Sequence, residues 1–135
     1  MKLYQGTRSG HYGTAIIVVD GGLEYPLPFV DKWQHERDHR GTSIPQATRA
    51  DQRTFEWGYL GAGPADTAAS ILADHFGRPQ PIRIVQRFKE DVVGRLGGPE
   101  RGRWSLDGAM VDRWVAAHAE LLTREWAAED QDPPP

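Results

Sequence analysis

The stretch Thr14-Ala15-Ile16-Ile17-Val18-Val19-Asp20-Gly21-Gly22-Leu23-Glu24-Tyr25-Pro26-Leu27 decides the class of fold. Its first six residues form a largely β-branched run too short for a helix, and Asp20-Gly21-Gly22 is a strong hairpin-turn signal. The reading is strand, turn, strand, with Leu23 to Leu27 as the returning strand and Leu3 to Gly6 as a third strand in the same sheet. An uninterrupted apolar run, rather than alternation, predicts that Thr14 to Val19 is either covered on both faces or central in its sheet.

Outward from this hairpin, Phe55, Trp57 and Tyr59 alternate with Glu56 and Gly58, the pattern of a half-buried aromatic strand. Gly61-Ala62-Gly63-Pro64 then opens a helix. Pro64 suits its first turn, Asp66 suits the positive end of its dipole, and Ala68, Ile71, Leu72 and Phe76 line one face before Gly77 and Pro79 end it. A second helix is predicted from Pro81 to Leu96, with Ile82, Val85, Phe88, Val92 and Leu96 inward and Gly97-Gly98-Pro99 as its stop. A third is capped by Asp107 and carries Met110, Val111, Trp114, Val115, His118, Leu121, Leu122 and Trp126 as an apolar stripe. Together these elements predict an α+β fold: a small, mainly antiparallel sheet of three to four strands with three helices packed on one side.

At 135 residues, 39% hydrophobic and 26% charged, the chain has material for one core, which excludes a multidomain enzyme. Residues 1–130 are expected to form that single domain, and 131–135, ending in three prolines, a disordered tail. The absence of cysteine excludes disulfides, thiolate metal sites and cysteine nucleophiles. No apolar run is long enough to span a membrane, and the opening Met1-Lys2-Leu3 is not followed by an apolar signal core, so a cytoplasmic protein is expected. Pro28 to Thr54 is polar and charged, offering mostly Trp33 and Ile44 as apolar side chains beyond a short helix somewhere between Phe29 and Arg40. A loop of that length reads as functional or disordered rather than as core.

The net charge of −3 conceals an asymmetry. Arg78 to Arg103 holds seven basic residues against three acidic, whereas the chain from Asp107 onward holds two basic against seven acidic. A duplex-binding protein concentrates cations without such a compensating segment, so nucleic acid is not the favoured partner.

Phe55-Glu56-Trp57-Gly58-Tyr59-Leu60-Gly61-Ala62-Gly63-Pro64, with the helix that follows, closely resembles the signature of a small bacterial and phage family known only as a domain of unknown function. Tyr4-Gln5-Gly6-Thr7-Arg8 is similar to that family's first strand, and Ile16 to Leu23 to its hairpin. Phe88-Lys89 with Val92, Val93 and Leu96, then Trp104, Leu106 and Trp114, resemble its two closing helices. The polar connection at 28–54 is longer than the family's. The resemblance implies a shared compact fold and residence on phages and mobile elements, hence a small inhibitor or regulator of a host defence complex. It implies no catalytic residue and no cofactor.

Two constellations suggest chemistry. His35-Glu36-Arg37-Asp38-His39 matches the HExxH pattern, in which two histidines one turn apart hold zinc and the glutamate activates water. Its charged interior, and Arg40-Gly41 directly after it, suit a solvated loop better than a metal site. Gly58, Tyr59, Gly61 and Gly63 stand between a strand and a helix as in phosphate-binding loops. Pro64 removes a donor there, Asp66 adds a carboxylate, and no Lys-Ser/Thr follows, so glycine's backbone freedom beside Trp57 and Tyr59 is the simpler account. His118 reads as a core-edge histidine with one nitrogen reaching solvent or a carbonyl. The sequence therefore points to a non-enzymatic protein that binds another protein, with Trp33, Arg37 and Arg40 of the polar loop as anchors. A nucleotide- or phosphate-binding domain and a metal-dependent hydrolase using His35, Glu36 and His39 are the alternatives.

Overall fold

The computed structural model describes residues 1–9, 13–41, 44 and 54–119. Strand β1, Lys2–Ser9, pairs antiparallel with β2, Gly13–Asp20, and β2 turns into β3, Leu23–Pro26. Asp20 stands opposite Leu23 across a two-residue loop in which Gly21 has φ +64°. Tight hairpin loops of this length need that positive φ, which glycine adopts without steric cost. A fourth strand, β4, Trp104–Asp107, joins the other edge of β1, so the sheet is wholly antiparallel with order β3-β2-β1-β4.

Four helices accompany the sheet. These are α1, Gln34–Arg40; α2, Ala62–Phe76; α3, Ile82–Asp91, followed by one 3-10 turn at Val93–Arg95; and α4, Gly108–Ala117. One core unites them: Tyr4, Ile16 and Val18 from the sheet meet Ile71 and Leu72 of α2, Phe88 of α3 and Val111 of α4. The α+β class and the one-sided helix layer match the expectation from sequence. β2 is central in the sheet, but it is covered on one face only: Ile16 and Val18 are buried, while Ile17 between them is 37% exposed.

Phe55 to Tyr59 is not a strand. Trp57 is fully buried, and its indole N–H donates to the carbonyls of Arg101 and Gly102 at 2.9 and 3.0 Å. Gly58 at φ +85° then turns the chain away from any ladder. The alternating pattern records a buried tryptophan rather than sheet pairing. The aromatic strand is instead Trp104-Ser105-Leu106-Asp107, in which Trp104 and Leu106 point inward. Resemblance had placed those two residues among the closing helices; four residues hold too few alternations to announce a strand. Trp104 lies over Gly6 of β1 so closely that any Cβ there would fall within the indole.

The second helix ends at Asp91 rather than at Leu96, because Val92 leaves helical geometry with φ −125°. Gly77, at φ +78°, terminates α2 as expected, and Asp107 caps α4 by accepting from the Ala109 N–H at 2.9 Å. Leu121, Leu122 and Trp126 of the expected stripe, most of 42–54, and the tail at 131–135 lie outside the described residues. No helix among the described residues is long and apolar enough to cross a membrane.

Candidate functional site

The first part of the polar connection is built into the fold. Asp31, His35 and Glu36 are buried. Val30 N–H donates to Ser70 Oγ, and Lys32 N–H to Asp66 Oδ1, each at 2.9 Å, which ties the segment to α2. Glu36, the glutamate of the HExxH pattern, accepts the Ile82 N–H at 2.9 Å. Ile82 opens α3, whose preceding residue, Pro81, supplies no side-chain cap. A carboxylate 46 residues away therefore satisfies the first amide of that helix through one oxygen and complements its dipole. The imidazoles of His35 and His39 stack with centroids 4.2 Å apart, and His39 Nδ1 lies 2.8 Å from the His35 carbonyl oxygen. No group of three or more His, Asp or Glu among the described residues is arranged to hold a metal ion.

Trp33 and Arg37 converge on Asp31. Asp31 Oδ1 accepts from the Trp33 N–H at 2.8 Å and from Arg37 Nη1 at 2.9 Å, while Arg37 Nη2 contacts Oδ2 and lies 2.7 Å from Gln34 Oε1. The hydrogen bond to Asp31 raises the Arg37 pKa. Arg37 is thus half-buried in an internal ion pair, and of the three expected anchors Arg40 alone is exposed.

In the glycine loop, the space beside each backbone is taken by protein. A Cβ at Gly58 would meet Arg101 Cγ at 2.6 Å, one at Gly61 the Tyr59 ring at 2.7 Å, and one at Gly63 Glu56 Cβ at 2.9 Å. Thr67 Oγ1 accepts the Glu56 N–H at 2.9 Å. Asp66 faces Lys32, its pKa raised by burial against the lowering effect of Lys32. These glycines seat Tyr59 and Glu56 on the start of α2, as their backbone freedom suggested.

Asp74, near the end of α2, accepts three side-chain hydrogen bonds. Tyr4 Oη donates to Oδ2 at 2.8 Å, Tyr25 Oη to Oδ1 at 2.9 Å, and Lys2 Nζ to Oδ2 at 3.1 Å. Burial, reinforced by the bond to Asp74, pushes both phenols above their ordinary pKa. Burial opposes the charge on Lys2, but its bonds to Asp74 and Tyr25 outweigh that and raise its pKa. None of the three is primed as a base or nucleophile near neutral pH. A cleft of about 330 Å³ opens beside them, between Pro28 and Val30 on one side and Ala73, Gly77 and Pro79 on the other. Its hydroxyl, Ser70 Oγ, is engaged by the Val30 and Asp66 backbones.

Two histidines anchor α4. His75 Nε2 lies 2.7 Å from Asp112 Oδ1. His118 stacks on Trp114, its Nδ1 is 2.8 Å from the Trp114 carbonyl oxygen, and its Nε2 is 3.3 Å from Asp91, which also accepts the Trp114 indole N–H at 2.9 Å. The core-edge histidine expected at this position thus takes the carbonyl as the partner of one nitrogen.

One surface differs from all of these. Leu60 is 65% exposed and lies over Gly94, next to the Tyr59 ring. Arg101 stacks on that ring with its guanidinium carbon 4.9 Å from the centroid, and Arg8 lies 5.1 Å from the centroid of Trp57 while pairing with Glu56 at 3.1 Å.

A family model described as "Family of unknown function (DUF6166)" matches residues 4–117. The chain belongs to this family. No curated protein and no solved structure gives a match. The DUF6166 match runs from Tyr4, in β1, to Ala117, the last residue of α4, so it takes in the whole described fold after the first three residues. The expected resemblance to a family of unknown function is met at that level. Within the DUF6166 fold, sequence reasoning named Gly58, Tyr59, Gly61 and Gly63 but missed Leu60, Arg101, Arg8 and the Asp74 cluster. The one sequence signal for the surface was the apolar Leu60 inside a turn-forming stretch.

Proposed function

We propose that this protein acts without catalysis, by binding another protein through the surface around Tyr59 and Leu60. The observation that carries this reading is Leu60, a large aliphatic side chain that is 65% exposed and directly follows Tyr59, the ring over which Arg101 lies. Exposed apolar side chains flanked by arginine and tyrosine resemble the anchors that dominate protein interfaces. The alternatives find less support. Glu36 caps α3 and Ser70 is tied to backbone, while Lys2, Tyr4 and Tyr25 are held in their protonated forms. At the glycine loop, Tyr59 and Glu56 pack against the Cα positions of Gly61 and Gly63, which gives those glycines a packing role that needs no anion.

Inhibition of a host complex by a mobile-element product is the form of this reading that the resemblance suggests. The test is capture of partners by the tagged chain, followed by reconstitution with the purified candidate. We expect a complex that survives gel filtration and is lost in Leu60→Asp. Retention by Leu60→Asp would move the interface elsewhere, and a rise in Tm with nucleotides or zinc but no complex would overturn the reading in favour of a ligand-binding domain or metalloenzyme.

A further inference from the structure

Among the described residues, Arg101 is the one non-glycine with positive φ, at +53°. Gly97 and Gly98, a few residues earlier, occupy the same region at +79° and +67° without steric penalty. Glycine or asparagine is the less strained occupant of such a position. The backbone of Arg101 has clear structural duties: its N–H donates to the Gly98 carbonyl at 3.1 Å, and its own carbonyl accepts from Trp57 Nε1 at 2.9 Å and Arg8 Nε at 2.8 Å. Glycine would perform all three. The side chain therefore needs a separate reason, and strained non-glycine positions cluster at functional sites.

That side chain is exposed and its guanidinium carbon lies over Tyr59, 4.9 Å from the ring centroid, and the ring rests against Gly61 and Gly63. A guanidinium stacked by its face keeps its in-plane N–H donors directed outward in the fork that matches a carboxylate. It is also ordered before any partner arrives, which lowers the entropy lost on binding. Leu60 follows Tyr59 in the chain and lies over Gly94, and Arg95, exposed with its Nε 3.5 Å from the Glu90 carbonyl oxygen, follows Gly94. Of the nearby acids, Glu56 is matched to Arg8, and Glu100 is exposed beside Arg101 in sequence.

We propose that Tyr59, Leu60, Arg95 and Arg101 form a docking surface for an acidic polypeptide segment bearing an apolar side chain. The apolar side chain packs on Leu60 and the edge of Tyr59, and the exposed Arg101 and Arg95 take the flanking carboxylates. A polypeptide fits better than a nucleic acid, because an aliphatic Leu60 at the centre offers a phosphate backbone nothing and Arg8 is already neutralised by Glu56. This inference rests on the protein-binding reading above and names the partner's chemistry.

The test is an amide NMR titration of the full chain with a short synthetic peptide of Asp, Glu and Leu, alongside the same peptide with Lys in place of the acids and a thymidine oligonucleotide. We expect shifts confined to Tyr59, Leu60, Gly94, Arg95 and Arg101, an affinity that falls with added salt, and no response to the Lys peptide. Arg101→Gly should weaken binding about tenfold while Tm holds or rises, since the strain is relieved. Leu60→Ser, at an exposed position, supplies a second variant that keeps the fold and should also weaken binding. Absence of shifts with the acidic peptide would overturn the proposal, as would equal binding by Arg101→Gly or tighter binding of the oligonucleotide at the same residues. A reconstituted partner that docks through Leu60 but presents a basic surface would leave the protein-binding reading standing and remove this one.

Discussion

Compare α1 with the turn at residues 58–61. The helix, Gln-His-Glu-Arg-Asp-His-Arg, looks like surface, and the turn Gly-Tyr-Leu-Gly looks like packing. The structure reverses part of each: His35 and Glu36 of the charged helix are buried, while Leu60 of the apolar turn stands in solvent. The difference lies in what each side chain can satisfy. A buried carboxylate is tolerated where it meets helix amides or a guanidinium, as Glu36 and Asp31 do. An exposed leucine needs no such partner, and Leu60 keeps only the packing of its side chain over Gly94.

The comparison breaks most visibly at Asp31. Asp31→Ala would leave the Arg37 guanidinium without its carboxylate in a half-buried site, and should destabilise the chain by about 3 kcal/mol in denaturant unfolding. A loss below about 0.5 kcal/mol would return this segment to the status of a surface loop. Next, Glu36→Ala should remove the distant cap of α3 at a cost of about 1 to 2 kcal/mol, with faster hydrogen exchange in the first turn of α3. Unchanged exchange at Ile82 would show that the cap does not act in solution.

The Asp74 cluster makes a prediction in pH. Lys2 and Tyr4 have folded-state pKa values raised above their unfolded ones, so each favours folding fully below the unfolded value and loses that contribution as pH rises through the window above it. Stability should therefore decline from about pH 10 upward. Tyr4→Phe should flatten that decline while lowering Tm at neutral pH, where the bond to Asp74 is lost. A wild-type alkaline limb no steeper than that of Tyr4→Phe would contradict the assignment. The smallest stability effect belongs to the other side of the comparison: Leu60→Ser should change stability by less than about 0.5 kcal/mol and show itself in binding alone.

The candidate surface was only partly legible. Tyr59 and its glycines were visible as a motif because their spacing is local. Arg101 was one cation among seven in a basic stretch, and nothing in its neighbourhood announced that it would be turned to positive φ and laid on a ring 42 residues earlier in the chain. Arg37 reads as a recognition anchor because an arginine in a polar stretch carries no sign of an internal partner; of Trp33 only the backbone N–H meets Asp31. Asp31, which takes the Arg37 guanidinium, stands in that stretch with nothing local to set it apart from the other acids.

By itself the sequence determined the features set by neighbours along the chain. The β2 to β3 hairpin followed from a β-branched run and Gly21-Gly22, the end of α2 from Gly77, and the start of α4 from Asp107, each requiring contacts only a few residues apart. Tertiary structure alone decided that Trp104 to Asp107 would be the fourth strand, that Trp57 would be buried without being in a strand, and that Glu36 would cap α3. Each of those depends on a partner far along the chain, which must first be brought close by the collapse of the core. Polar groups that leave water in that collapse take whichever partner is within reach, and local pattern holds no record of which that will be.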